Sequence, residues 1–365
     1  MPLTDIDGAR LDDSALYAGK NLIINGAMQV AQRGTSSTTN GYGTVDRYKG
    51  SYSGGTVTQT QTAITSGDPY DEGFRSVLRL TNTTSNTGTS ANRIITQKIE
   101  AQNLANSGWN YTSSTSYVTL SFWARASVAQ TYYVNLKTSD GTSQNYSTSF
   151  ALSANTWTKI TKTIPGGSNV AFDDNNEQGL QVHFVVFRGT DSTTSGHTLD
   201  AWAAYSASDI VPDMTNTWAG TTNATFDVTG VQLEVGASAS AFEHRSYGDE
   251  LRRCQRYYQK LQSTLADSIV YVGYNAGTTS SRGTVYLPVS MRTNPTAVET
   301  TGTASDYNVR SGGSTTTCNS VPSFEFATTQ SIGLQFNVSS GLSTDAASMC
   351  RFVNTDGFLA WGAEL

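Results

Sequence analysis

Three features of this sequence predict an all-β protein: scarce charge, abundant strand and turn formers, and short alternating segments that recur along the chain. Charged residues make up 14% of the 365, against about 25% in an average soluble domain. The Lys and Glu that hold exposed helices together are correspondingly few. Thr, Ser, Asn, Gln and 33 Gly take their place. Thr suits a pleated, half-buried surface, while Ser, Asn and Gly supply the turns between short strands. Hydrophobic residues at 37% and aromatics at 10% are enough for sandwich cores, and the length predicts two or three domains.

Strand-like alternation runs through GTVTQTQTAI, SVLRLT, YVTLSFWARA, TYYVNLKT, WTKITKTI, LQVHFVVFRG and ATFDVTGVQLEVG. Polar stretches such as TNTTSNTGTS, SDGTSQN and PGGSNVAFDDNNEQG separate them. Short strands with turn chemistry between them predict a sandwich or barrel. NLIINGAMQVAQRG reads as two short apolar runs about an Asn25-Gly26 turn. Before it, residues 1–20 read as an arm. Asp5, Asp7, Asp12 and Asp13 break any apolar stripe, and Leu3, Ile6, Leu11, Leu16 and Tyr17 remain as isolated anchors that order only against a partner.

The pattern changes at SYGDELRRCQRYYQKL, where a helix is expected over residues 248–263. Leu251, Cys254, Tyr258 and Leu261 are spaced three, four and three, the apolar seam of two heptads. Asp249 and Glu250 suit a helix start, and Lys260 its end. Such a helix is only about 24 Å long, so β domains are expected to supply most of any oligomer contact. Strand patterning resumes at SIVYVGYNAG, GTVYLPVS, SFEFATT, SIGLQFNV, SMCRFVNT and FLAWGAEL.

Function classes narrow by chemistry. The net charge of −6 lacks the basic footprint that nucleic-acid binding needs. No apolar stretch reaches the 18–20 or so residues that span a bilayer, and the acidic N-terminus lacks signal-peptide character. Cys254, Cys318 and Cys350 form no metal or disulfide pattern and read as small buried hydrophobes. His183, His197 and His244 sit in separate segments. His183 reads as a strand residue with a satisfied ring, and His244 as a partner for a nearby carboxylate. No catalytic or nucleotide-binding fingerprint is present.

A paired-carboxylate glycosidase is the enzymatic alternative. Its acidic cluster, Asp173, Asp174 and Glu177, falls in a turn-rich stretch where solvated acids are usual. The same stretch offers oxygen ligands for Ca²⁺ without EF-hand spacing, so no cofactor is expected and calcium is only weakly signalled. Asp227 and Glu234 lie seven residues apart on one strand, and alternation would put them on opposite faces. Tyr is abundant at 18. Tyr271, Tyr274, Tyr286 and Tyr307 are the candidates for a surface that stacks on sugar faces.

Two stretches carry a more specific signal: NLIINGAMQVAQRG with VDRY (Val45 to Tyr48), and Ala224 to Lys260 with its Glu-Leu-x-x-Cys-Gln-Arg-Tyr-Tyr run. Both resemble segments of bacteriophage tail-fibre and virion-appendage proteins, in which a carbohydrate-binding-module-like jelly roll precedes that run. VTLSFWARA, WTKITKTIPG and LPVSMRTNPT are also similar to pieces of that family. The resemblance implies a homotrimeric, non-enzymatic virion protein, assembled in the host cytoplasm, whose tip meets a bacterial surface glycan or protein. In a trimer the seam would gather three reduced Cys254 thiols near one axis. About twenty residues precede the sandwich, fewer than the adaptor domain of many fibres, so attachment to another virion protein through the arm is expected. The expected layout is an arm (1–20), a jelly-roll β-sandwich (21–247), a trimerising helix (248–263) and a smaller C-terminal β-sandwich tip domain (264–365). The alternatives are a capsid or baseplate decoration protein without a receptor role, and a polysaccharide-cleaving enzyme.

Overall fold

The computed structural model describes residues 19–365. The chain divides into two compact units, one ending at Glu250 and including Leu365, the other running from Leu251 to Glu364. Leu3, Ile6, Leu11, Leu16 and Tyr17, the anchors expected of an attachment arm, lie outside the described residues. Gly19 and Lys20 already belong to the first unit: the Gly19 amide donates to Glu243 and the Lys20 ammonium to Ser240.

The first unit contains β1 (Ser36–Ser37), β2 (Tyr48–Ser53), β3 (Thr58–Ala63), β4 (Ser76–Thr81), β5 (Asn92–Glu100) and β6 (Tyr117–Ala126). It continues with β7 (Gln130–Thr138), β8 (Gln144–Leu152), β9 (Thr158–Pro165), β10 (Gln178–Arg188), β11 (Trp202–Ala204) and β12 (Thr225–Val235). They form two antiparallel sheets, ordered β1-β3-β4-β12-β6-β9 and β11-β8-β7-β10-β5-β2. The central strands β4-β12-β6-β9 and β5-β10-β7-β8 are connected as a jelly roll. The chain crosses between sheets from β4 to β5 to β6, and the late strands β10 and β12 insert between early ones. Between the sheets, Phe122 meets Phe184 and Phe150 edge to face, with centroids 5.0 and 5.3 Å apart.

β12 departs from simple alternation. Phe226 and Val228 enter the core, and so do Val231 and Leu233. A bulge lets three steps of β12, Thr229 to Gln232, match two of β6, Trp123 to Ser121. Gly230 makes the bulge with φ of 63°, and a Cβ there would stand 2.8 Å from the Phe74 ring. The extra residue restores the phase of the apolar set, so Asp227 and Glu234 share the outer face instead of opposing one another. Each has its own partners. Asp227, 1% exposed, is clamped by Arg79 at 2.7 Å and Arg125 at 2.8 Å. Glu234 accepts from the Ser240 amide and from Gln232.

The NLIINGAMQVAQRG segment is a wrapping loop rather than a strand pair. The Leu22 amide donates to the Leu233 carbonyl and the Val231 amide to the Gly26 carbonyl, which seals β12 at its bulge. Asn25 takes φ of 61° at the expected turn, and its buried side chain holds the carbonyls of Val30 and Asp46. A second loop, residues 205–216, follows β11 and covers part of the outer face of the β11–β2 sheet. There the Ile210 carbonyl accepts from Asn145 and Ser147, and Ile210 and Val211 pack on Tyr133 and Val185.

A helix spans Tyr247–Gln255 and stops well short of residue 263. The Tyr257 amide donates to the Cys254 carbonyl, closing a turn, and Tyr258–Gln262 continues as strand β13. Tyr258 and Leu261 therefore cannot share a helical seam with Leu251 and Cys254. Their backbone pairs instead with β22 (Phe358–Gly362), and the Tyr258 hydroxyl donates to Glu299 at 3.0 Å. Cys254 is buried and Leu251 half-buried. The unit boundary falls inside the helix, between Glu250 and Leu251.

The second unit adds β14 (Ile269–Asn275), β15 (Ser280–Tyr286), β16 (Glu299–Thr300), β17 (Tyr307–Ser311), β18 (Ser314–Thr317), β19 (Ser323–Ala327), β20 (Ser331–Asn337) and β21 (Ala347–Phe352). One sheet is ordered β13-β22-β16 and the other β18-β17-β21-β14-β15-β20-β19. Leu359 and Trp361 of β22 share a core with Tyr271, Phe336 and Phe352 of the larger sheet. Cys318 and Cys350 lie in that core as thiols, pushed up by burial to about 12 and about 11.

Two outcomes follow from the first unit. Removing the carboxylate from Asp227 leaves two guanidinium groups without their partner, so Asp227→Ala should cost about 3–5 kcal/mol, measured by denaturant unfolding. His183 of β10 bonds Thr96 through Nδ1 at 2.7 Å. Burial, reinforced by Arg188, Lys137 and Lys98, lowers its pKa to about 3. The unfolded imidazole takes up its proton near pH 6.5. The contribution of His183 to stability is thus complete above pH 6.5 and is lost as pH falls toward 3. Stability measured across that window should fall less steeply in His183→Asn than in the wild type.

Candidate functional site

Of the four tyrosines expected to form a sugar-stacking surface, the structure brings two to solvent and puts two in the core. Tyr271 is 4% exposed, with its hydroxyl on the Ser281 carbonyl at 3.1 Å and its ring edge-on to Phe336. Tyr307 is fully buried, its hydroxyl on the Phe358 carbonyl at 2.7 Å. Neither can touch a glycan. The cause is strand parity together with glycine. The Tyr271 ring lies across Gly283, where a Cβ would come within 2.2 Å of it.

Parity sends Val272 and Tyr274 to the opposite face, at 66% and 50% exposure. Tyr274 stands opposite Arg282, and β15 carries Thr284 and then Tyr286 along the same face. Tyr286 is 81% exposed. Four strand positions separate Arg282 from Tyr286, about 13 Å. Phe326 of the edge strand β19 completes the surface. A bulge after Phe324 inserts Glu325 and turns Phe326 outward while Phe324 packs inward. The Phe326 ring lies over Gly333 of β20, where a Cβ would meet it at 2.2 Å. Glycine beneath an edge aromatic gives a flat face.

A polar strip borders these rings. Arg282 donates through Nε to Gln335 at 2.8 Å and pairs with Glu325 at 2.9 Å, and Gln335 in turn donates to Asn337 at 2.7 Å. The outer face of the seven-stranded sheet thus presents Val272, Tyr274, Tyr286 and Phe326 beside a line of guanidinium, carboxylate and amide groups. Such a surface can stack on the apolar face of a sugar ring and hydrogen-bond its hydroxyls. Phe326 and Val272 were not singled out from the sequence. SFEFA reads as an ordinary alternating strand, and only the bulge separates the fates of its two phenylalanines.

The other candidates resolve separately. Asp173, Asp174 and Glu177 are exposed: Asp174 accepts from Asn106, and the Asp173 amide donates to Asp140. Among the described residues no three His, Cys, Asp or Glu side chains gather as a metal site. His244 bonds the backbone carbonyl of Glu72 at 2.9 Å, acts electrostatically on the carboxylate of the same residue, and packs on Phe74 and Phe242. His197 pairs with Asp209 at 2.7 Å. No helix of the described residues is long and apolar enough to cross a membrane.

No protein-family model matches this chain, and no curated protein does. Among solved structures it is similar to the enzymatically active domain of bacteriophage CBA120 tailspike protein 4 (13% identity over 60% of this chain, TM-score 0.32). That match spans 22% of the tailspike chain. The N-terminal cellulose-binding domain of Cellulomonas fimi β-1,4-glucanase C is similar at 11% identity over 58% of this chain and 99% of its own, with a TM-score of 0.29. A xylan-binding domain from Paenibacillus barcinonensis is similar at 10% identity over 56% and 94%, with a TM-score of 0.26. These likenesses are distant, and the jelly-roll assignment rests on strand order.

The contrast between the two pairs of tyrosines is measurable by denaturant unfolding. Tyr286→Ala should change stability by less than about 0.5 kcal/mol, whereas Tyr271→Ala should cost about 3–5 kcal/mol, as truncation of a large core aromatic does.

Proposed function

We propose that this protein is a non-catalytic bacteriophage virion-appendage subunit, whose C-terminal domain binds a host-surface glycan on the face of Tyr274, Tyr286 and Phe326. The observation that carries the reading is the exposure of three aromatic rings on one sheet face, bordered by Arg282, Glu325 and Gln335. An exposed apolar patch of this kind marks an interaction surface, and its mixture of rings and fixed hydrogen-bonding groups suits a sugar. The virion assignment is supported by the sequence resemblance to tail-fibre proteins. On this reading residues 1–18 engage another virion protein and the subunit is a homotrimer. Weak single sites then gain strength through multivalency.

A second reading of the same face is subunit contact, favoured by Val272 among its exposed residues. One experiment separates the two. Binding of the purified protein to host cells and to a glycan array is compared with that of the Tyr274→Ala/Tyr286→Ala double variant, and light scattering gives the mass of each. Each lost ring should weaken binding by up to about tenfold, with the mass unchanged. Unaltered binding would overturn the glycan assignment, as would a change in mass that tracks the substitutions. Sugars released from host polysaccharide would overturn the non-catalytic one.

A further inference from the structure

We propose that Arg79 and Arg125, on the outer face of the β1–β9 sheet, bind a singly charged oxyanion of an acidic polysaccharide, a carboxylate or a sulfate ester. This site lies in the first unit and does not depend on the aromatic face of the second.

Strand register builds a row across this face. Thr60 of β3 stands opposite Arg79 of β4, Arg79 opposite Asp227 of β12, and Asp227 opposite Arg125 of β6. Trp157, just before β9, extends the row, and the Arg125 guanidinium lies over its ring, 4.5 Å from the centroid. One carboxylate therefore serves two guanidinium groups, and the row keeps a surplus of positive charge. Each arginine spends the same edge on Asp227. Arg79 donates through Nε at 2.7 Å and Nη2 at 3.0 Å, Arg125 through Nε at 3.1 Å and Nη2 at 2.8 Å. Both Nη2 atoms end on one oxygen, Asp227 Oδ2. The two guanidinium groups are thus close enough for one oxyanion to bond both.

The Nη1 groups are left over. Elsewhere in the sandwich Nη1 is committed to backbone carbonyls: those of Tyr70 and Phe74 in Arg75, Asn92 in Arg93, and Ile23 in Arg245. Arg79 and Arg125 make no bond through Nη1 among the described residues, and their side chains are 29% and 33% exposed. Glu72, on the same face, already accepts from Lys159 and from the Trp123 indole. A guanidinium pinned through Nε keeps its other edge, formed by the two Nη groups, in a set plane. That edge matches the paired oxygens of a carboxylate or sulfate. Arginines already fixed on Asp227 and Trp157 lose little further freedom when a ligand arrives. Two guanidinium groups less one carboxylate suit a singly charged group. Thr60 and Trp157 flank the pair with a hydroxyl and an aromatic ring, groups that suit a sugar. A nucleic-acid backbone would need a far longer basic track.

The test is calorimetric titration of the intact protein with polygalacturonate, dextran sulfate, neutral dextran and sodium acetate. At least one acidic polymer should bind, and its affinity should fall at least about tenfold in Arg79→Lys and in Arg125→Lys. Each variant keeps a charge for Asp227 but lacks the second edge of donors. Lys49→Gln, on the other sheet, should leave the affinity unchanged, as should Tyr274→Ala/Tyr286→Ala. If the lysine variants do not fold, Trp157→Ala, which frees the Arg125 guanidinium, carries the comparison and should weaken binding. Absence of binding by both acidic polymers would overturn the proposal, and so would equal binding of neutral dextran or an equal loss in the Lys49 variant. Acetate bound as tightly, site for site, as the polymers would overturn the polysaccharide source. Loss of binding only in the double tyrosine variant would move it to the aromatic face and leave this site without a role.

Discussion

The first domain depends on a single extra residue in β12. This strand arrives last, inserts between β4 and β6, and must present an apolar face along its whole length to a core already lined by Phe122, Val134 and Phe184. Strict alternation from Phe226 would turn Val231 and Leu233 away from that core. The Gly230 bulge resets the phase, and only glycine combines the positive φ with contact against the Phe74 ring. The same reset gathers Asp227, Gln232 and Glu234 on the outer face. There Arg79 and Arg125, the Asn21–Gly26 loop and the Ser240 segment find their partners.

That arrangement ties together two distant stretches of the chain. NLIINGAMQVAQRG and ATFDVTGVQLEVG lie about 200 residues apart in the chain yet are bonded to each other, amide to carbonyl, at the bulge. Asn21 bonds both sides of it, donating to the Val231 carbonyl and accepting from the Leu233 amide. Asn25 is equally constrained, by a left-handed backbone and a buried side chain. These residues answer to a geometric demand of the sandwich.

The C-terminal sheet exposes rings in a flat array, made possible by Gly333 beneath Phe326. Stacking on such rings is tolerant of the identity of the ring it meets.

Local chemistry determined a good part of this protein. SVLRLT and YVTLSFWARA carry enough alternation and β-branching to mark β4 and β6 to the residue. Composition alone pointed to β architecture, and the Asn25 turn was legible because Asn tolerates a left-handed backbone. Other elements were decided only by tertiary contact. β5 and β8 hide in the sequence because their polar residues are buried: Arg93, Thr96 and Gln97 in one, Asn145, Ser147 and Thr148 in the other. Part of β8 is roofed by a loop some sixty residues downstream. Tyr258 and Leu261 fit a heptad by spacing, yet pairing with β22, about one hundred residues later, draws them into a strand. Tyr271 and Tyr274 are chemically alike, and only sheet parity sends one inward and the other to solvent. The physical reason is the same each time. Alternation and turn chemistry act within a few residues and are written locally, whereas burial and strand pairing depend on which distant segment arrives opposite.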